Sequence, residues 1–441
     1  MDIIIAGAGK VGFELARALS SAHNVTVIDK NAEALDRLHE LIDIFPVVGD
    51  IENPVTYRAL LDTRADIFIA VTDSDEANLL STLIADDSIA IKKKLIRLRN
   101  SYFAKGSIIE SLGVSEPVFP FALSAETIRL LLRYPEANNV KKFTGSTLKL
   151  ISIRVDNPDY EEEPISSFEN EKVKIVGVER NKEFLLPSGN ESIRHNDLLY
   201  FVGEGEVVER LYSRLDLKMP LKIRDAVVFG ARHLGLEIAR VLIEEGVNVK
   251  VVEKDLELCK RASEILQENA LVINSHYDEA ILYEEERLAN ADMVITTGSQ
   301  DEENIVRSLQ AKEQGIPKVV AINNEQKYYD LIHKLGIIAA RGPRTSAHYA
   351  ILEKIASMSV ITERRYCGGN GIALSRKIYP NSPLIGKKIK YPSMDEMIVL
   401  HGREGVFLPD LPEIVMLEGD IIFLFAPVIL ENRGRAWISS L

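Results

Sequence analysis

"IIIAGAGKVGFELARAL", residues 3–19, decides the fold. A run of isoleucines ends in Gly7-x-Gly9-x-x-Gly12 and leads straight into an amphipathic helix. In that setting the three glycines have separate tasks. Gly7 permits a tight turn, Gly9 admits a pyrophosphate close to the backbone, and Gly12 lets the helix pack on the strand. Phosphates then meet the free N–H groups and the positive end of the helix. Asp29 closes the next strand. A carboxylate there accepts hydrogen bonds from ribose hydroxyls and repels a 2′-phosphate, which favours NAD-like or adenosine ligands over NADP. Gly49-Asp50 ends the third strand, Thr72 the fourth, and Arg97 and Arg99 lie at the end of the fifth. Ligands of open α/β sheets bind off those carboxyl ends. Arg97, preceded by apolar residues, is the candidate phosphate reader, since a guanidinium fork suits phosphate oxygens. Arg99 reads as an ordinary exposed arginine.

The opening recurs. Residues 226–242 read "AVVFGARHLGLEIARVL", with Gly230 and Gly235 kept and Arg232 at the middle glycine. Sliding the chain on itself by about 223 residues aligns the halves in order, the signature of a tandem repeat. Glu253 keeps the acid after the second strand, Asn274-Ser275 replaces Gly49-Asp50, Thr297 matches Thr72, Asn304 matches Asn78, and Ala321 stands against Arg97. Either this second pocket is a structural segment without ligand, or it takes a smaller adenine nucleotide with Arg232 supplying positive charge.

Each repeat has two parts. Strands at 2–6, 25–29, 44–48, 66–71 and 94–98 are nearly continuous apolar runs, the pattern of strands buried on both faces of a parallel sheet. The segments between them, such as 76–90, have helical spacing. A smaller module follows, with short strands at 147–155, 173–180, 183–187 and 197–203, then a helix at 204–215. Residues 372–379, 397–409 and 419–427 repeat it. The stretch 212–225, with Pro220, reads as the link between repeats. The expected fold is α/β: two tandem repeats, each a doubly wound parallel-sheet Rossmann-like N-domain followed by a small α+β C-domain. The expected bounds are 1–136, 137–217, 222–358 and 359–441.

With 441 residues, 46% hydrophobic and 27% charged, the chain reads as a soluble multi-domain protein. Its formal charge of −13 disfavours nucleic acid as a general partner. A strand-like run from Ile3 leaves no room for a signal peptide, and the apolar run at 421–430 is too short to span a bilayer. Cys259 and Cys367 form no metal pattern and read as buried filler in a reducing compartment. An NAD-dependent oxidoreductase would need an acid/base group near the nicotinamide. The eight histidines are scattered and read as surface or loop residues. The "EEE" runs at 161–163 and 284–286 read as solvated. No spacing points to a metal, and a catalytic residue is not assigned.

At this point the strings carry a family. "IIIAGAGKVG" (3–12), "VTVIDK" (25–30), "VVGD" (47–50), "DIFIAVTDSDEANLLSTLIA" (66–85), "KKLIRLRNSYF" (93–103), "DLLYFVG" (197–203) and "VMLEGDIIFLF" (415–425) resemble the TrkA family end to end. These are cytoplasmic regulatory subunits of Trk potassium-uptake systems, built from two tandem regulator-of-potassium-conductance (RCK) units. The resemblance implies a first site for NAD(H), or for ATP or ADP, made by Gly7, Gly9, Lys10, Val11, Gly12, Asp29, Lys30, Gly49, Asp50, Thr72, Asn78 and Arg97. A second site would use Gly230, Arg232, Glu253 and Thr297. It further implies a homotetramer with a ring of eight units, peripheral on the cytoplasmic face of the membrane, gating a membrane-embedded potassium-translocating subunit. Two other classes stay open: the oxidoreductase, and a stand-alone nucleotide sensor with a different membrane partner.

Overall fold

The computed structural model describes residues 1–60, 64–105, 107–135, 137–143, 146–187, 191–215, 222–276, 281–355, 361–380, 382–390, 396–408 and 413–441. Contacts gather the chain into two units, Met1–Ala125 with Arg341–Ile355, and Glu126–Ala340 with Ala356–Leu441.

The first unit runs β1 (Asp2–Ala6), α1 (Lys10–Leu19), β2 (Asn24–Asp29), α2 (Ala32–Leu41), β3 (Phe45–Val48), β4 (Arg64–Ala70), α3 (Asp75–Ser88), β5 (Ala90–Arg97), α4 (Ile108–Ser111) and β6 (Glu116–Val118), and enters α5 (Pro120–Arg133). The sheet order is β3-β2-β1-β4-β5-β6. Strand order reverses between β1 and β4, so the loops after them open a crevice at the carboxyl edge. The expected doubly wound sheet is present. β5 starts at Ala90, earlier than its apolar core suggests, because Ala90–Lys93 alternates exposed and half-buried along the strand before the run Lys94–Arg97 is buried. The short strand β6 was not anticipated.

One helix of this unit comes from far along the chain. Ala347, Ile351 and Ile355, at four-residue spacing on the helix Pro343–Ile355, are buried against Leu15, Ala16 and Leu19 of α1. Fully burying each isoleucine contributes about 2–3 kcal/mol. Ser124 and Ser346, both small, let this helix and α5 approach; their buried hydroxyls lie 3.1 Å apart. Lys93 Nζ donates to Lys354 O at 2.6 Å and closes the helix end.

The second unit begins within α5. It continues with β7 (Asn139–Lys142), β8 (Lys149–Arg154), β9 (Val173–Arg180), β10 (Glu183–Leu185), β11 (Leu198–Gly203) and α6 (Gly205–Leu215). Then come β12 (Asp225–Phe229), α7 (His233–Glu244), β13 (Asn248–Glu253), α8 (Leu256–Leu266), β14 (Ala270–Asn274), α9 (Leu282–Glu285), β15 (Met293–Thr296), α10 (Asp301–Glu313), β16 (Lys318–Asn323), α11 (Tyr329–Lys334) and β17 (Ile338–Arg341). The exchanged helix is α12 (Pro343–Ile355). The chain ends with β18 (Ile361–Tyr366), β19 (Gly371–Lys377), β20 (Lys388–Lys390), β21 (Ile398–Arg403), β22 (Val406–Phe407), β23 (Glu413–Val415), β24 (Ile421–Pro427) and α13 (Glu431–Ser440).

The parallel sheet β14-β13-β12-β15-β16-β17 repeats the first. The two small modules share a plan as well, β10-β9-β11-β8-β7 and β18-β19-β24-β21-β22. They join through one aromatic core, with Phe143 and Phe423 rings 4.9 Å apart edge-on and Tyr200 and Tyr366 at 5.1 Å. Each module locks its last hairpin with an arginine fork: Arg180 on Asp197, and Arg403 on Asp420. α6 ends at Leu215 as expected, while the rest of the link, residues 216–221, lies outside the described residues. Among the described residues no helix is long and apolar enough to cross a membrane.

Candidate nucleotide site

Gly7 follows β1 at φ +113°, a conformation side chains avoid, and a Cβ on it would lie 3.0 Å from Thr72 Cγ2. A Cβ on Gly12 would sit 1.8 Å from the Gly7 carbonyl oxygen, so helix and turn touch backbone to backbone. Gly9 is different: a Cβ there meets nothing within 4 Å. It caps α1 without any side-chain hydrogen bond, which leaves the helix N-terminus open. Lys10 is exposed at the first helical position, and Val11 is buried beneath it.

Asp29, half-buried, accepts from Ala8 N–H at 2.6 Å and from Asn31 N–H at 2.8 Å. It thus joins the glycine turn to the end of β2. Lys30 next to it is exposed. Gly49 N–H donates to Asp29 O at 3.0 Å, and a Cβ on Gly49 would strike Thr56 at 2.5 Å. Asp50 is exposed and turns Oδ1 onto Glu52 N–H at 3.0 Å.

The far side of the crevice is one network. Asn78, fully buried on α3, accepts from Thr72 N–H at 2.9 Å and Thr72 Oγ1 at 2.7 Å. Its amide donates to Thr72 O and to Arg97 O. Arg97 is only 5% exposed and donates Nη1 to Thr72 O at 3.1 Å and Asp73 Oδ1 at 2.9 Å. Arg99 converges on the same Asp73 oxygen at 3.0 Å, so it is half-buried and paired where an exposed arginine was expected. Burial opposes charge on Asp73, but the two guanidinium groups outweigh it and hold the carboxyl below its usual range. Arg97 Nε and Arg99 Nε are buried with no hydrogen-bond partner among the described residues. Two orphaned cationic donors and an open helix N-terminus fit an anionic group such as a pyrophosphate.

Asp75 was missed in the sequence. Its carboxylate accepts from Arg99 and Asn100 N–H and fixes the loop that follows β5. Asp301 does the same for Asn324 and Glu325. The signal was present twice, as Asp-x-x-Asn at 75–78 and 301–304.

The second pocket keeps the frame and alters the contents. Gly230 has φ +110°, and a Cβ on Gly235 would sit 1.9 Å from Gly230 O. Arg232 is exposed at the N-cap of α7. Glu253 is 5% exposed and fully engaged, with Oε2 on Ala231 N–H at 2.9 Å and Oε1 on Lys254 and Asp255 N–H. Thr297 is buried and donates to Phe229 O at 2.9 Å, inside the glycine turn.

Strand registers correct the sequence pairing by one residue. Ala70 faces Ile96 and Thr296 faces Ala321, so Ile322, not Ala321, stands against Arg97. Asn304 bonds Gly298 and Ile322 O as Asn78 bonds Thr72 and Arg97 O, so Gly298 replaces Thr72. Asp29 faces Val48 and Glu253 faces Asn274, which makes Ser275 the counterpart of Gly49 and His276 that of Asp50. Loops of unequal length between strands shift the offset by a few residues, which a string comparison cannot locate.

The histidines also need correction. His401 on β21 is buried beside Asp420, His348 on α12 is largely buried, and His333 on α11 lies 2.6 Å from Glu179 Oε2. The three acids at 161–163 are exposed as expected; at 284–286 the last, Glu286, is half-buried. Both cysteines are buried and free.

Comparisons with known proteins agree with this architecture. The profile of the TrkA-N domain matches residues 3–120 and 226–342, more than half of the chain, and that of the TrkA-C domain matches 150–216. A Trk system potassium uptake protein TrkA homolog of Archaeoglobus fulgidus is 29% identical over 394 residues, covering 88% of each chain. The Trk system potassium uptake protein TrkA of Halomonas elongata is 27% identical over 455 residues, covering 99% of this chain and 97% of its own. Among solved structures, the GsuK RCK domain superposes with a TM-score of 0.59 at 16% identity, over 100% of this chain and 95% of that one. A GsuK channel bound to NAD gives 0.59 at 17% identity, over 100% and 79%. Two TrkA-N matches with a TrkA-C match between them, on two Rossmann-like sheets with two small modules, place this chain in the TrkA family.

Proposed function

We propose that this protein is the regulatory subunit of a Trk-type potassium uptake system, and that the first pocket is its nucleotide sensor. The observation that carries this is the open space at Gly9 before an uncapped helix N-terminus, with Asp29 half-buried beside it. Gly7, Gly9, Lys10, Val11 and Gly12 would cradle the phosphates of NAD(H), ATP or ADP. Asp29 and Lys30 would meet the adenosine ribose. Gly49, Asp50, Thr72 and Asn78 would shape the crevice floor, and Arg97 would report on phosphate charge. The potassium-uptake names of the relatives support the biological setting. The second pocket, with Gly230, Arg232, Glu253 and Thr297, is read as structural. The four segments 1–136, 137–217, 222–358 and 359–441 act as functional domains.

In this reading four chains form a ring of eight RCK units on the cytoplasmic face of the membrane, beneath a potassium-translocating subunit. A nucleotide shifts ring geometry only by the difference of its affinities for the two geometries.

The test is calorimetry with NADH, NAD, ATP and ADP on the full chain and on Gly9→Arg. The substitution copies the second loop into the first, and open space at Gly9 means that the fold tolerates it. Binding that disappears in the variant supports the reading. Binding that persists moves the sensor elsewhere, and turnover of NADH with a carbonyl substrate would favour an oxidoreductase instead.

A further inference from the structure

The second unit contains a cluster of side chains that the nucleotide reading leaves unused. Glu179 on β9, His333 on α11 and the buried Cys367, just after β18, present one ligand atom each, all within 4.8 Å of one another. His333 Nε2 is 2.6 Å from Glu179 Oε2, and Cys367 Sγ donates to the same oxygen at 3.3 Å. Tyr200 Oη steadies that carboxylate at 3.2 Å. They border a cleft of about 250 Å³ that also meets Arg154, Lys182 and Asp330.

The arrangement is built, not incidental. Cys367, Gly368 and Gly369 take positive φ of 50°, 61° and 97° in succession. A non-glycine residue rarely adopts that conformation, and it persists where the surroundings enforce it. Here they do. A Cβ on Gly368 would lie 2.9 Å from His333 Cδ2 and 3.2 Å from Asp330 Oδ1, so the turn presses its bare backbone on the imidazole. Tyr366, one residue earlier, is anchored by its hydroxyl on Val176 O at 2.8 Å. Asn370 N–H closes the turn on Cys367 O at 2.9 Å.

We propose that Glu179, His333 and Cys367 form a site for one divalent transition-metal ion of the zinc class. One imidazole nitrogen, one sulfur and one carboxylate oxygen are a borderline-soft set that suits zinc and its neighbours. Magnesium and calcium prefer oxygen alone. Three protein ligands leave a fourth position toward the cleft, for water or an incoming group. The Cys367 thiol loses its proton to solvent on coordination, His333 binds as neutral imidazole through Nε2, and Glu179 binds as carboxylate. Bonds of about 2.0–2.3 Å set ligands about 3.3–3.7 Å apart in a tetrahedron. The Sγ–Oε2 pair has that spacing already, and Nε2 and Oε2 part slightly. A bound ion would tie the first small module, the second Rossmann-like domain and the start of the second small module at one point.

The test uses the full-length, reduced, metal-stripped protein, titrated with Zn²⁺ alone and followed by calorimetry, then with Co²⁺ followed by absorbance. One Zn²⁺ per chain, no comparable binding of Mg²⁺ or Ca²⁺, and a cobalt–thiolate band are expected. Cys367→Ser should weaken Zn²⁺ at least 100-fold and abolish the band, while Cys259→Ser changes neither. Glu179→Gln, which preserves shape, should weaken it at least 10-fold with an unchanged circular dichroism spectrum. Gly9→Arg should leave it intact, because the nucleotide pocket takes no part. Substoichiometric binding, or full affinity in Cys367→Ser or Glu179→Gln, overturns the site.

Discussion

At the first loop Gly9 leaves open space beside the helix N-terminus, and Asp29 spends two hydrogen bonds on the backbone while half-buried. At the second, Arg232 stands at the same step, and Glu253, one methylene longer, folds inward onto three backbone N–H groups. Arg97 gives way to Ile322, and Thr297 fills the turn. Gly12 and Gly235 meanwhile press on the same step, Gly7 O and Gly230 O, and Asn78 and Asn304 bond equivalent backbone groups, while both Gly7 and Gly230 keep a positive φ. The groups that build the loop are therefore kept in both pockets, and the groups that would face a ligand differ. Fold and binding use different residues of one motif.

The strongest test of that separation concerns the structural glycines. Gly12→Ala and Gly235→Ala each drive a Cβ into a backbone carbonyl, at 1.8 and 1.9 Å. Each should cost about 3 kcal/mol or more, since backbone cannot yield as a side chain does. Thermal denaturation of the two variants should show similar losses. If one pocket tolerates alanine, the shared frame is not shared in energy.

Much of this was legible. The parallel sheets followed from apolar runs and helical spacing, and Gly7, Gly12 and Asp29 stand where the motif puts them. The exchange of α12 was not legible. Its apolar positions Ala347, Ile351 and Ile355 show one buried face but do not say which core it joins. Nor could spacing show that Glu179, His333 and Cys367 meet, because their proximity comes from tertiary packing of three distant segments. Arg99 was misread because Asp73, its partner, lies on another strand's loop.

The exchanged helix gives the next test. His348 on α12 has a buried Nδ1 with no partner among the described residues. Burial, then the charges of Arg17 and Arg341, hold its pKa from 6.5 down to about 4. The unfolded chain takes up the proton near pH 6.5 and the folded one only near pH 4. This contribution is complete above pH 6.5 and is lost as pH falls toward 4, on the order of 3 kcal/mol at most. Counted from the helix starts at Pro120 and Pro343, the same step on α5 is Ala125, which carries no titratable group. Hydrogen exchange should show α1 losing protection between pH 7 and 5 more than α7, and His348→Gln should remove the difference. Equal loss in both helices would erase this asymmetry.

A smaller effect separates bracing from sensing at Arg97. Arg97→Met keeps the buried stem and removes the fork on Thr72 O and Asp73. If Arg97 meets phosphate, affinity for ATP should fall about tenfold, the scale of one charge-assisted hydrogen bond, with a smaller change for ADP. Unchanged affinities for NADH, NAD, ATP and ADP would make Arg97 a brace alone.

The smallest expected effect is the most discriminating. Arg232→Gly restores G-x-G-x-x-G to the second loop, yet calorimetry should detect no new nucleotide binding. The exposed Arg232 is only one of the differences. Glu253 is nearly fully buried with three backbone N–H groups on its oxygens, where Asp29 is half-buried with two, and withdrawing Glu253 for a ribose would leave buried N–H groups unpaired, at about 1–3 kcal/mol each. Ile322 offers no charge where Arg97 does. A glycine alone therefore opens a door onto an occupied room. Adding Glu253→Asp shortens the acid and frees its inward reach, so weak binding should emerge only in the double variant. Binding by Arg232→Gly itself would mean that the middle glycine was the whole difference between the pockets.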